Sequence, residues 1–192
     1  MKQILWIDAC VREASRTRKL AEHILSKLDG TVTRVDLNKE QIPPLTDKML
    51  TYRSRKAEEQ DFSGPVFRYA LQLKNADEIL ISAPYWDLSF PASLKSYIEA
   101  VNIVGLTFRY TEDNQPASMI KAKRLIYVTT AGGEILSEEP GFGYIRLVMN
   151  SFYGINDFLY FKSENLDLIG SDPENILKKS REEIDRTFLE ER

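Results

Sequence analysis

The chain has 192 residues, 43% of them hydrophobic, which suits one domain with a substantial core and is too little for two of ordinary size, so 1–192 reads as a single domain. Its 26 basic and 29 acidic side chains leave a net charge of -3 with no basic block, which argues against a nucleic-acid partner. One cysteine forbids an internal disulfide, one histidine argues against a His/Cys metal site, and no run approaches the roughly 20 apolar residues of a membrane span; with no signal-peptide pattern at the start, the expectation is a cytoplasmic protein.

Short β-branched or apolar runs alternate with longer amphipathic segments, the pattern of repeated βαβ units around a parallel sheet. The first strand is expected over 3–8. The loop after it, Ala9-Cys10-Val11-Arg12-Glu13-Ala14-Ser15-Arg16-Thr17, brings two hydroxyls to the start of a helix expected over 15–28, where Leu20, Ile24 and Leu28 share one face. Asp29-Gly30 is expected to close that helix. In an open parallel sheet the ligand site lies at the carboxyl ends of the strands, which makes this loop the first place to search. A helix N-terminus leaves amides unpaired and carries partial positive charge, so Ser15 and Thr17 are placed to donate to a phosphate. Ser15 also reads simply as an N-cap. Neither GxGxxG nor GxxxxGK[ST] occurs, so a monophosphate held by hydroxyls and backbone fits better than a dinucleotide or a triphosphate.

A second strand is expected over 31–37, after which 38–64 breaks the alternation with Pro43-Pro44 and many charges. A helix over 67–74 leads into a third strand over 78–83. Next comes Pro84-Tyr85-Trp86-Asp87-Leu88-Ser89-Phe90-Pro91, a stiff aromatic loop suited to a flat ring, although any single aromatic there ordinarily just covers the end of the core. A helix over 92–104 follows. In 105–121, Leu106, Phe108 and Tyr110 alternate with Thr107, Arg109 and Thr111, as in a short hairpin. The fourth strand, 124–130, runs into Thr130-Ala131-Gly132-Gly133, whose glycines either make an ordinary turn or let amides approach a ligand closely. A helix over 144–152, a strand over 157–162 and an amphipathic helix over 173–190 with Ile184 and Phe188 at helical spacing complete the series. Cys10 reads as a small buried hydrophobe, and His23, among polar helix residues, as a surface or rim group.

The segment APYWDLSFPASLKSYIEAVNIVGLTFRYTE at 83–112, together with TTAGG at 129–133, resembles the FMN-dependent NAD(P)H oxidoreductases of flavodoxin-like fold, especially the bacterial azoreductases and NAD(P)H:quinone reductases. The resemblance spans most of the chain. It implies an α/β fold with a five-stranded parallel sheet of order 2-1-3-4-5 and helices on both faces. It assigns the FMN phosphate to Ser15 and Thr17, and the flavin loop to Pro84, Tyr85, Trp86, Asp87 and Leu88, with the Asp87 backbone facing N5. Thr130, Gly132 and Gly133 fall where the pyrimidine edge is contacted and where amides would stabilise negative charge on the reduced ring. It also implies a homodimer, with Tyr110 and Phe152 as walls of an acceptor pocket at the subunit interface. The implied chemistry is ping-pong: NADH or NADPH passes hydride to flavin N5 and leaves, then a quinone, azo or nitro compound takes two electrons from the same face. The cofactor does the redox work, so no acid–base dyad is expected.

Three positions depart from the family pattern. Ala9 stands where relatives often have a serine, Asp87 where the best-known azoreductases have asparagine, and Glu134-Ile135 where some relatives place a histidine. Arg12 is the residue at hand to compensate for Ala9. Two other readings compete: an electron-transfer flavodoxin without direct NAD(P)H activity, which a strongly acidic surface would favour, and a phosphoacceptor receiver domain. The latter needs clustered acids, and the third strand ends Ile81-Ser82-Ala83.

Overall fold

A computed structural model describes residues 1–190. Its strands are β1 (Gln3–Asp8), β2 (Thr31–Asp36), β3 (Glu78–Ser82), β4 (Phe108–Tyr110), β5 (Pro116–Ser118), β6 (Arg124–Thr130) and β7 (Asp157–Ser163). Five of them form one sheet in the order β2-β1-β3-β6-β7, every pair parallel, while β4 and β5 form the separate antiparallel hairpin expected between 105 and 121. With the hairpin set aside, this is the expected order 2-1-3-4-5.

The helices are α1 (Arg16–Leu25), α2 (Leu37–Glu40), α3 (Asp47–Glu58), α4 (Arg68–Asn75), α5 (Ala92–Val101), α6 (Tyr144–Tyr153) and α7 (Pro173–Glu190). Because successive strand side chains point to opposite faces, each central strand feeds two cores. Leu5, Ile7, Ile79, Ile81, Leu125 and Tyr127 face α4, α5 and α6, whereas Trp6, Leu80, Ile126 and Val128 face α1 and α7. Helices α1 and α5, which follow the adjacent strands β1 and β3, therefore lie on opposite faces, and a crevice opens at the carboxyl ends of those two strands.

Several expected boundaries move. Helix α1 ends at Leu25 with Ser26 as its cap, not at Asp29-Gly30. Gly30 is needed instead where the chain turns into β2, since a Cβ there would lie 2.6 Å from the Lys2 carbonyl and 2.8 Å from Ile4 Cδ1. Helix α5 stops at Val101, because Thr107 Oγ1 donates to the Val101 carbonyl at 2.8 Å and the buried Arg53 guanidinium takes the carbonyls of Glu99 and Asn102 at 3.1 and 2.8 Å. These donors satisfy helix-end carbonyls that have no intrahelical partner. Strand β2 ends at Asp36, one residue short of expectation, because Leu37 opens α2, and α3 lies within 38–64, where only a break was expected. Among the described residues no helix is long and apolar enough to cross a membrane.

Candidate functional site

Three loops meet at the crevice. The first, residues 9–15, leaves β1 and enters α1 at its N-cap, Ser15. Ser15 Oγ accepts from the Arg18 amide at 3.3 Å, and the first intrahelical bond is Lys19 N to Ser15 O at 3.2 Å. The amides of Arg16 and Thr17 thus precede the helical ladder. Thr17 is buried, and its Oγ1 lies 2.6 Å from Thr130 Oγ1 at the end of β6, tying the first loop to the third. In this pair one hydroxyl hydrogen bridges the two oxygens and the other stays free to donate.

The second loop follows β3. Its Tyr85 amide donates to the Thr130 carbonyl at 2.9 Å, and its tip is a tight reversal in which Trp86 and Ser89 exchange backbone bonds of 3.0 and 2.8 Å. Asp87 and Leu88 fill the turn with φ of 49° and 67°, the mirror-image turn geometry that usually takes Asn-Gly. Two outside contacts hold it: Tyr85 OH donates to the Ser137 carbonyl at 3.2 Å and Ser89 Oγ to the Pro140 carbonyl at 2.5 Å. The Asp87 side chain is exposed, at the tip of the turn.

The third loop follows β6. Neither Gly132 nor Gly133 has a positive φ, so their role is not the conformational freedom that the sequence suggested. Their carbonyls accept from the amides of Asp167 at 2.8 Å and Asn165 at 3.0 Å, which lays the segment after β7 along the glycine pair. At Gly132 a Cβ would lie 2.6 Å from Asp167 Oδ2, so glycine there lets the Asp167 carboxylate come close. That carboxylate in turn pairs with Arg16 at 2.7 Å across the cleft wall.

Together the loops line a cleft of about 370 Å³. Of the residues expected at the cofactor, Ser15, Thr17, Pro84, Tyr85, Trp86, Thr130 and Gly132 line it. Asp87 and Leu88 stand at the tip of the bordering turn, and Gly133 is one residue beyond the lining. Tyr110 and Phe152 do not line it. They pack on Phe108, with ring centroids 5.6 and 4.8 Å away, between the hairpin and α6. Arg16, of the expected first loop, also lines the cleft, as do Leu166 and Asp167, which lie outside every loop expected there. Nothing in the local sequence marks Asp167, because backbone pairing between distant loops puts it there.

Beneath the first loop lies a sealed polar cluster. Asp8 is 0% exposed and accepts from Arg18 Nε at 2.8 Å, Arg34 Nη2 at 2.5 Å, Ser82 Oγ at 3.0 Å and the Cys10 amide at 3.0 Å. Burial alone would raise its pKa, but the hydrogen bonds from Arg18, Cys10 and Arg34 outweigh burial and hold it below the ordinary carboxylate value. A carboxylate so enclosed is no phosphoacceptor, which removes the receiver-domain reading. Cys10 is likewise buried, its thiol pushed up to about 12 by burial and then by the Asp8 charge. His23 contacts Asp185 at 2.8 Å, joining α1 to α7 at the surface.

A doubly wound parallel sheet with a crevice at the carboxyl ends of its strands, built from a helix start, an aromatic turn and a glycine loop, defines an open-sheet α/β protein of the kind that places its ligand site there. The chain belongs to the flavodoxin-like family: the family model described as "Flavodoxin-like fold" matches residues 2–188. It is 34% identical over 196 residues to FMN-dependent NADH:quinone oxidoreductase 2 of Clostridium acetobutylicum, covering 95% of this chain and 96% of that protein. It is 31% identical over 197 residues to FMN-dependent NADH:quinone oxidoreductase of Clostridium perfringens strain SM101, covering 98% and 97%. Among solved structures, an azoreductase from Bacillus anthracis str. Sterne superimposes with a TM-score of 0.81 at 25% identity, over 98% of this chain and 99% of that one. An FMN-dependent NADH-azoreductase from Bacillus anthracis str. Ames Ancestor, in complex with FMN, shares the fold with a TM-score of 0.80 at 20% identity, over 99% of each chain.

Proposed function

We propose that this chain binds FMN in the cleft and carries electrons from NADH or NADPH to quinone, azo or nitro acceptors. The observation that supports it most is the convergence, in one crevice, of donors suited to a phosphate and an aromatic wall suited to a flat ring. The Arg16 and Thr17 amides at the helix start, the Ser15 hydroxyl and the cleft-lining Arg12 supply donors and positive charge suited to a phosphate. Ala9 contributes no hydroxyl, and Arg12 is the compensating charge.

When bound, FMN supplies the redox chemistry, taking hydride from the nicotinamide and giving two electrons to the acceptor. The protein binds, orients and shields. Tyr85 and Trp86 line the cleft and would border the ring, and the strained turn at Asp87 and Leu88 would present fixed backbone towards its N5 edge. The loop of Thr130, Gly132 and Gly133 would border the pyrimidine edge, where preorganised dipoles act on negative charge at no reorganisation cost. No side chain moves a proton in this scheme, in keeping with a sealed Asp8 and a protonated Cys10.

We place the acceptor site at the interface of a homodimer, with Tyr110 and Phe152 as walls, on the strength of the family resemblance. Val104 and Tyr110 are 49% and 52% exposed on the side of the molecule that carries the Phe108 cluster, apolar surface that a second copy would cover. The test is to add FMN to purified protein, record its visible spectrum, and follow NADH and NADPH oxidation with a quinone. A bound-flavin spectrum and quinone-dependent oxidation are expected. FMN binding without NAD(P)H oxidation would leave a one-electron carrier, and no FMN uptake would remove the reading altogether.

A further inference from the structure

We infer that Arg18 is a positioning residue for the cofactor phosphate, acting through the first loop without touching the ligand. This rests on the FMN reading of the cleft. Residues 11–14 are all exposed and contain no proline, and so lack both burial and a fixed dihedral to set their path. One side chain holds them from beneath. Arg18 Nη1 donates to the carbonyls of Arg12 at 2.7 Å and Glu13 at 3.0 Å, its Nη2 donates to the carbonyl of Cys10, and its Nε is anchored on Asp8 at 2.8 Å. The Arg18 side chain is only 13% exposed and does not line the cleft.

Two effects follow. Three carbonyl oxygens, which would repel a phosphate, are drawn inward to a cation and away from the face where the anion binds. The loop is also ordered before the ligand arrives, so binding does not have to supply the ordering entropy. The effect is one of geometry more than net charge, because Arg18 and Arg34 share the Asp8 carboxylate, with Asp36 3.3 Å from Arg34. Lysine cannot replace this arrangement, since a single ammonium lacks the planar fork that reaches three carbonyls and a carboxylate together.

The test compares FMN with riboflavin, which carries the same ring and ribityl chain without the phosphate, in wild type and in R18M, R18K and R34M. Wild type is expected to prefer FMN strongly. In R18M and R18K the FMN Kd is expected to rise by about 30-fold or more while riboflavin affinity changes by less than about threefold, because only the phosphate contact depends on the loop. R34M, which also strips a cation from Asp8 but leaves the loop carbonyls held, is expected to keep the FMN preference. A wild type with no preference for FMN over riboflavin would defeat the phosphate reading itself. A wild-type preference that survives in R18K or R18M would overturn the role of Arg18 alone, as would equal loss in R34M or equal loss of both flavins. If R18M does not fold, R18K, which keeps the charge on Asp8, decides the question.

Discussion

Ser15 and Thr17 are each already engaged by the protein, Ser15 as acceptor for the Arg18 amide and Thr17 in its 2.6 Å bond with Thr130, yet the Ser15 hydrogen and one hydrogen of the Thr17–Thr130 pair remain for a ligand. Capping and phosphate binding are therefore compatible roles of one side chain, and the two readings of Ser15 do not compete. Hydrogen bonds to a charged group are worth about 1.5–3 kcal/mol each, so the double substitution S15A/T17A is expected to weaken FMN binding about 100-fold or more. The lost cap and the lost Thr17 bond together cost about 2 kcal/mol, a drop in Tm of roughly 4–8 °C that leaves the domain folded. Fluorescence titration and a thermal melt check both, and an unchanged FMN affinity would place the site elsewhere. Cys10 gives a prediction with a pH sign. Its folded pKa is raised from 9.0 to about 12, so the stability it contributes is fully present below pH 9 and is lost as pH rises towards 12. At pH 8 the native thiol is expected to resist a thiolate-specific disulfide reagent that labels the unfolded chain at once. Rapid native labelling would show that Cys10 is not buried as described.

The turn at Trp86–Ser89 shows what an element can store. A left-handed conformation costs a residue with a Cβ about 1–2 kcal/mol, and here Asp87 and Leu88 both adopt it, held by the outside bonds of Tyr85 and Ser89. Replacing Leu88 by glycine removes that cost at one position, partly offset by glycine's greater unfolded-chain entropy, so L88G is expected to raise the Tm of the flavin-free protein by about 2 °C. Calorimetry measures it, and a lower Tm would mean that the Leu88 side chain contributes contacts worth more than the strain. The strands were legible for a simple reason: β1, β3 and β6 are covered on both faces and read as unbroken apolar runs. Helix α3 was not, because Arg53 is its only buried residue and its surface is charged, leaving no apolar stripe to detect. The end of α5 was misplaced because the groups that close it, Arg53 of α3 and Thr107 beyond the helix, are remote from it in pattern, while α1 ends early at its Ser26 cap. The site followed the same division. Its three loops were visible because topology alone puts them at one crevice, whereas the Arg16–Asp167 pair depends on backbone bonding between the segments after β6 and β7.

At the scale of the whole molecule, the cleft and the aromatic cluster of Phe108, Tyr110 and Phe152 are separate features of a single chain, and the proposed dimer would give that cluster its function. Val104 bridges to Phe108 and is half exposed, so a charge there would leave the core untouched while facing any partner that covers the cluster. A specific dimer buries about 800 Å² per subunit, and an unpaired carboxylate in such a surface costs several kcal/mol, enough to dissociate it at micromolar concentration. The wild type is accordingly expected to sediment as a dimer and V104E as a folded monomer with an unchanged far-ultraviolet spectrum. The cleft lies within one chain, so FMN affinity in V104E is expected to stay within about threefold of wild type, while kcat/KM for the quinone falls at least about tenfold as the acceptor pocket loses a wall. Sedimentation velocity and steady-state assays at one protein concentration separate the two effects. A monomeric wild type, or a V104E dimer with full quinone turnover, would detach the acceptor site from this surface and leave Tyr110 and Phe152 as packing for the hairpin alone.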